Sequence, residues 1–228
     1  MTLTELQQSI GVTFTNETVL KQAFVHRSYL NESKEFRESN ERLEFLGDAV
    51  LSFITSDYLY TTYPQFPEGI LTNIRSTLVK TKSLATVAAN LHLGELLLLS
   101  RGEESSGGRL NESLLADCFE ALLGTIFLDQ GIDGARTFLL TFLLPKSEEI
   151  IRTKSYVDYK SELQERVQEQ TKVSPIYRVV KSEGPDHDKT FWVEVLQGDT
   201  KLGQGTGKSK QEAEQQAASN ALEKYLKS

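Results

Sequence analysis

An all-helical domain followed by a small α+β domain is the architecture this sequence predicts, and three observations predict it. Up to about residue 145, apolar residues recur at spacings of three and four, as in "LEFLGDAVLSFITSDYL", "LTNIRSTLVKTKSLATVAANLHL" and "NESLLADCFEALLGTIFL". Around "LPKSEEIIRTKSYV" (144–157) the composition turns polar and the periodicity weakens. Beyond it, "IYRVVKSEG" and "KTFWVEVLQ" are rich in β-branched and aromatic residues and read as strands. The expected boundaries are 1–147 for the helical domain, 148–156 for a linker and 157–228 for the second domain.

In the first domain, loops are marked by "YPQFPEG" (63–69), "SRGEESSGGR" (100–109) and "DQGIDG" (129–134). No stretch there alternates like a strand. In the second, "DYKSELQERVQEQ" (158–170) reads as a helix, and "TKLGQGTG" as a short third strand running into glycines. "SKQEAEQQAASNALEKYL" (209–226) closes the domain as an Ala-rich helix, so the order is α-β-β-β-α.

Composition narrows the classes. At 39% apolar and 25% charged, the 228 residues suit an ordinary globular protein. A lone cysteine, Cys118, excludes an internal disulfide framework and suits a reducing compartment. The opening "MTLTELQQSIGVTF" lacks a basic leader before an apolar run, and no apolar stretch approaches a membrane span. The expectation is a cytoplasmic protein with no membrane partner. The net charge of −7 argues at first against a nucleic-acid partner. Its distribution removes that objection: residues 154–228 carry 12 Lys+Arg against 12 Asp+Glu, so the acid excess lies wholly in the first two thirds.

Within that acidic part, "NERLEFLGDAV" (40–50) stands out. At about 100° per residue, Glu41, Glu44 and Asp48 fall within about 60° of one another. They lie opposite a core stripe of Leu43, Leu46, Val50, Phe53 and Ile54. A solvated helix face is the ordinary reading of such a stripe. The second acidic feature is harder to read that way. Between Ser113 and Leu128 the only charged residues are Asp117 and Glu120, one turn apart in a helix apolar nearly all round. Such a helix is buried, and a buried carboxylate is costly unless it is paired or holds a metal. Two faces of hard oxygen donors suit Mg²⁺ or Mn²⁺, and a pair of such ions serves phosphodiester cleavage. Phe45 sits beside the carboxylates and off the core stripe, which points to contact with a second subunit; an isolated exposed aromatic is the alternative.

These residues also carry a resemblance. "NERLEFLGDAVL", with "FVHRSYLNES" (24–33) before it and "GGRLNESLLADCFEALLGTIFLDQG" (107–131) after it, resembles the signature and flanking motifs of the bacterial ribonuclease III family. The likeness covers nearly the whole chain. It implies a helical endonuclease domain, a double-stranded-RNA-binding domain and a homodimer, with no small-molecule cofactor. It implies further that Glu44, Asp48, Asp117 and Glu120 are Mg²⁺ ligands, with Asp48 and Glu120 the most critical. Glu41 and Glu68 would line the cleavage valley, and Phe45 would plug into the partner subunit. Each of two metal centres would cut one strand of a duplex, leaving 5′-phosphates, 3′-hydroxyls and short 3′ overhangs. Ribosomal precursor processing and mRNA turnover are the roles the family leads one to expect.

Duplex RNA is read largely by shape, through 2′-hydroxyls and phosphates. Gln164 and Gln168, four apart on one helical face, can both donate to and accept from a hydroxyl; a generic polar face is the alternative. By resemblance, "GPDH" (184–187) is a second contact loop bearing His187. Lys208 and Lys210 precede or open a helix whose end already favours phosphate. Gln211 stands where the family pattern often has another base, and Asp188 adds a negative charge. Both predict weaker, more salt-sensitive binding. Of the remaining residues, His26 is expected to hydrogen-bond structurally, with a general base as the alternative, and His92 to pack; a phosphate contact by Arg109 is the less favoured of its two readings. "GEESSGG" lacks the Gly-Lys-Ser/Thr of a nucleotide loop. Two competing functions are an inactive RNA-binding or ribosome-associated derivative, which loss of an acid would mark, and a small-nucleotide phosphohydrolase, which leaves the second domain without a purpose.

Overall fold

Side-chain caps set where the first helices begin in this computed structural model, which describes residues 1–185 and 188–225. Thr2 and Glu5 form a capping box for α1 (Leu3–Ile10), and Asn16 accepts the Thr18 and Val19 N–H groups to open α2 (Glu17–Gln22). Helices α3 (Glu41–Thr62), α4 (Glu68–Val79), α5 (Thr81–Asn90), α6 (Arg101–Ser105), α7 (Glu112–Phe142) and α8 (Lys146–Thr153) follow. Asn111 caps α7 by accepting from Ser113 and Leu114 N–H. The core lies between α3, α5 and α7, where Leu51, Ile54, Leu84, Phe119, Leu122 and Phe138 are buried. The only strand-like pairing described in this unit is a bridge between Val25 and Leu98.

The chain divides into two units, Met1–Tyr156 and Val157–Ser228. Three expectations change in the first. The stretch 148–156, read as a linker, is largely the helix α8 and its end. Ile150, Ile151 and Tyr156 pack on Leu59, Ile74 and Leu78, and the buried Ser147 hydroxyl meets Tyr63 Oη at 2.9 Å. Two adjacent isoleucines in a polar run were enough to hold it. The loop expected at 129–134 is a kink: α7 runs through it, broken only at Gly131 (φ 71°, ψ −166°). The loop expected at 100–109 contains α6, capped by Ser100, which accepts Glu103 N–H.

The second unit contains α9 (Tyr159–Thr171), β1 (Ile176–Glu183), β2 (Thr190–Gln197), β3 (Thr200–Gly207) and α10 (Lys210–Tyr225). Its sheet is antiparallel in the order β1-β2-β3. Leu163, Val167, Val193 and Val195 form its core with Ala213, Ala217, Ala218 and Ala221 of α10. The glycines of "GQGTG" explain the alanines: a Cβ on Gly205 would come within 2.2 Å of the Ala217 backbone, so β3 and α10 meet almost backbone to backbone. Among the described residues, no helix is long and apolar enough to cross a membrane.

Candidate functional site

Helices α3 and α7 cross where neither has a side chain. A Cβ on Gly47 would lie 1.8 Å from the Glu120 carbonyl oxygen, and one on Gly124 would lie 2.3 Å from that of Leu43. This close approach places the acidic face of α3 against Asp117 and Glu120 of α7. Carboxylate oxygens of Glu44, Asp117 and Glu120 all lie within 4.8 Å of one another. Among the described residues, none of these three forms an ion pair with lysine or arginine.

Crowding and burial raise the proton affinity of the cluster. Partial burial, then the charges of Asp48, Glu44 and Asp117, push Glu120 up to about 8. Glu44 is raised by burial first, then by Asp117, Glu41 and Asp48. Burial also raises Asp117, against a lowering influence from His26. Three hard oxygen donors held together without a lysine or arginine partner among the described residues fit a small divalent cation.

The other sequence-predicted residues divide between those near the cluster and those apart from it. Asp48 is exposed, one turn beyond Glu44, and lies outside the tight trio, yet it is the strongest like-charge influence on Glu120. Glu41 is exposed at the rim of a cavity of about 440 Å³ lined also by His26, Arg27, Asn40, Glu44 and Asp117. Ser39 Oγ donates to Glu41 Oε2 at 2.8 Å, and Arg27 stands 3.8 Å from its other oxygen. Glu68 is not brought to the cluster within one chain. It lies in the first turn of α4, accepts from Thr72 Oγ1 at 3.0 Å, and lines a separate groove.

Phe45 is 80% exposed. Phe53, expected in the core stripe, is 58% exposed as well, because it sits at the edge of that stripe nearest Phe45. Arg109 does not offer a phosphate contact: its Nη1 donates to the carbonyls of Gly94, Glu95 and Leu97, and its Nε to Glu104. His92 does not pack either. It is a mostly exposed left-handed residue (φ 57°) whose ring lies 3.1 Å from Glu95. His26 does bond structurally, to Ser28. The residues the sequence reading missed are Arg27, Ser39 and Asn40, which share or support the cavity. Their signal was proximity: Arg27 adjoins His26, Asn40 adjoins Glu41, and Ser39 lies two residues before Glu41, in "VHRS" and "SNER".

In the second unit, Gln164 and Gln168 are exposed on α9, and Gln168 Nε2 donates to Ser174 Oγ at 2.8 Å. His187 lies outside the described residues. Lys210 opens α10, exposed, behind Ser209, whose Oγ accepts Glu212 N–H. Lys208 Nζ meets Asp188 Oδ1 at 2.6 Å.

Residues 16–147 match the family described as Ribonuclease-III-like, and residues 159–225 match the Double-stranded RNA binding motif. The chain is 47% identical to Ribonuclease 3 of Enterococcus faecalis over 220 residues, which is 96% of this chain and 95% of that one. It is 49% identical to Ribonuclease 3 of Bacillus cytotoxicus over 219 residues, 96% of this chain and 89% of that one. A solved nuclease domain of ribonuclease III from Campylobacter jejuni superposes with a TM-score of 0.60 at 38% identity, covering 65% of this chain and 100% of that chain. Its description concerns flexibility in the region involved in dimer formation.

Proposed function

The chain belongs to the ribonuclease III family of double-stranded-RNA endonucleases, and from that premise we propose how its residues divide the work. Glu44, Asp48, Asp117 and Glu120 hold Mg²⁺, with Mn²⁺ able to substitute. The observation that carries this is the uncompensated crowding of Glu44, Asp117 and Glu120. Bound there, one or a pair of such ions supplies Lewis acidity toward the phosphodiester and acidifies a water. The chain's own task is rigidity. The Gly47–Gly124 crossing fixes the two carboxylate pairs relative to each other, and the apolar body of α7 keeps their inner edge dry. Attack of water on phosphorus with departure of the 3′ oxygen leaves a 5′-phosphate and a 3′-hydroxyl.

The second subunit is a further copy of this chain. Phe45 projects from the N-terminal end of α3, and a groove of about 740 Å³ lies at the other end, lined by Leu59, Tyr60, Pro64, Phe66 and Leu71. Phe45 and Tyr60 are about 22 Å apart along the helix, and the exposed Phe53 lies midway. A two-fold axis near Phe53 makes each Phe45 reach the other copy's groove, as an isologous interface requires. The same operation carries Glu68, which lines that groove, toward the partner's acidic cluster. Two centres then cut two strands, giving short 3′ overhangs. Gln164, Gln168, His187, Lys208 and Lys210 contact the duplex. Ribosomal precursor processing and mRNA turnover are the expected roles.

The test is a long RNA duplex incubated with the protein in Mg²⁺ or EDTA and resolved on a gel, alongside Glu120→Gln. Cleavage confined to wild type with Mg²⁺, and retained RNA binding by the variant, is expected. Near-normal cleavage by Glu120→Gln would remove Glu120 from the metal site. A folded wild type that binds duplex and never cuts it would favour the inactive derivative.

A further inference from the structure

The 3-10 turn Arg27–Asn31 is capped by the ring of His26, in the place where a hydroxyl or carboxylate usually stands. Ser28 N–H points at Nδ1 from 3.4 Å, and Ser28 Oγ lies 2.8 Å from the same nitrogen. Ser28 Oγ itself accepts Ser100 N–H at 3.0 Å. A nitrogen that faces a backbone N–H must present its lone pair, so Nδ1 is an acceptor. The single hydroxyl proton of Ser28 is then free to point at it as well. In the neutral ring the remaining proton sits on Nε2.

The backbone holds this ring in place from two sides. His26 N–H donates to the Leu98 carbonyl at 3.1 Å, and Asn40 N–H donates to that of Val25 at 2.8 Å. His26 lines the cavity of Glu41, Glu44 and Asp117, and with Nδ1 turned to Ser28 the ring nitrogen left over is Nε2. Among the described residues, Nε2 has no hydrogen-bond partner, although the ring is half-buried and three carboxylates share its cavity. Those carboxylates can offer a phosphate nothing but repulsion. Arg27 is largely exposed and spends its charge near Glu41, so it does not supply a fixed direction.

Resting on the metal-dependent reading above, we propose that His26 Nε2–H is the hydrogen-bond donor that orients a non-bridging phosphate oxygen of the RNA strand seated in this cavity. The donor is prealigned, so it costs no reorganisation when the strand arrives.

Asparagine and glutamine separate the two nitrogens. His26→Asn keeps an acceptor at the Nδ1 position, hence the cap, and loses the Nε2 donor. His26→Gln keeps a donor near the Nε2 position and loses the cap. The measurements are kcat and KM on duplex RNA, Mn²⁺ binding by calorimetry, and the melting temperature. His26→Asn is expected to keep its melting temperature and Mn²⁺ affinity and to lose on the order of 10²-fold in kcat. His26→Gln is expected to melt earlier yet cleave faster than His26→Asn. Wild-type kcat in His26→Asn, or His26→Gln no faster than it, would overturn the proposal and leave the ring a cap only. If His26→Asn fails to fold, Ser28→Ala decides. A fall in kcat with unchanged KM and Mn²⁺ affinity supports the proposal, and an unchanged kcat overturns it. Wild type that takes up no Mn²⁺ would instead overturn the metal reading beneath it.

Discussion

In the second unit, Lys160 meets Glu214 at 2.5 Å, Arg166 meets Glu162 at 2.9 Å, Lys201 meets Glu194 at 2.5 Å and Lys208 meets Asp188 at 2.6 Å. In the first, Glu44, Asp117 and Glu120 converge where two helices touch, and none of them has such a partner among the described residues. The difference separates two ways of handling an RNA. An exposed ion pair such as Lys208–Asp188 is worth roughly 0–1 kcal/mol, so that lysine can exchange its carboxylate for a phosphate at little cost. Half-buried carboxylates left unpaired are held in place by packing and stay unsatisfied until a cation arrives. In the proposed division of work, one unit trades partners and the other acquires one.

The sharpest way to break the second half of that comparison is to move the helices rather than the acids. Gly47→Ala puts a methyl 1.8 Å from the Glu120 carbonyl, so α3 and α7 must separate. Overpacking of this kind costs about 1–3 kcal/mol, visible as a lower melting temperature. Cleavage should fall by roughly 10²-fold or more, because a displacement of about 1 Å at a reacting centre has that effect. Wild-type cleavage by a folded Gly47→Ala would mean that the crossing does not set the site.

Metal removal gives a second test. Glu120 titrates at about 8 in the folded protein against 4.5 for the ordinary group. Between those values the folded state therefore holds more protons than the unfolded one, and stability falls as pH rises. The slope is at most about 1.4 kcal/mol per pH unit for one proton, and partial exposure reduces it. Melting in EDTA from pH 5 to 8 should show this decline. Mg²⁺ should flatten it, since the ion replaces the proton, and so should Glu120→Gln. A flat profile in EDTA would show that the carboxylates are not crowded in the free protein.

What sequence could and could not show follows the same physics. Asp117 and Glu120 of α7 stood out because charge on an apolar helix is improbable without a purpose, whereas the acids of α3 taken alone read equally as a solvated face; the three strands were legible from β-branched and aromatic runs. The crossing at Gly47 and Gly124 was not, since a glycine inside a helix gives no hint of which backbone it lies against. Residues 148–156 looked like a linker because two isoleucines carry too little periodic signal, although they suffice to dock α8. What holds Arg109 could not be read from the sequence, because the carbonyls of Gly94, Glu95 and Leu97 that it donates to lie 12 to 15 residues away. Phe53 shows the limit of a helical wheel: it marks a stripe and says nothing about the edge at which the stripe stops being covered.

Phe45→Ala probes whether the exposed band of α3 is an anchor. A buried aromatic at an interface is worth roughly 2 kcal/mol or more, and a two-fold dimer loses two of them, so the dimer should dissociate at protein concentrations roughly 10³-fold higher than wild type. Far-UV circular dichroism should not change, because an 80% exposed ring leaves no internal cavity. Sedimentation across a dilution series reads the shift, and cleavage should recover with concentration. A variant as dimeric as wild type at every dilution would remove Phe45 from the interface. An unfolded one would mean that the ring belongs to the core.

The smallest effect tests the first half of the comparison. Asp188 is not a residue that touches RNA in the reading above; it holds Lys208, at 2.6 Å, with both side chains more than half exposed. If the second unit binds by exchanging partners, every phosphate contact made by Lys208 first breaks this pair. Asp188→Asn should then tighten duplex binding by no more than about 1 kcal/mol, the upper range for an exposed pair. The variant also removes one negative charge from a surface meeting a polyanion, and that effect acts at long range and is screened by salt. Lys208→Gln separates the two. Alone it should weaken binding and lower the salt slope by about 1. In its presence Asp188→Asn should gain only the long-range part. Binding is read by fluorescence anisotropy of a labelled duplex from low to moderate salt. Equal gains from Asp188→Asn with and without Lys208 would show that the two residues act independently, and that the pair is surface decoration rather than a contact the RNA must displace.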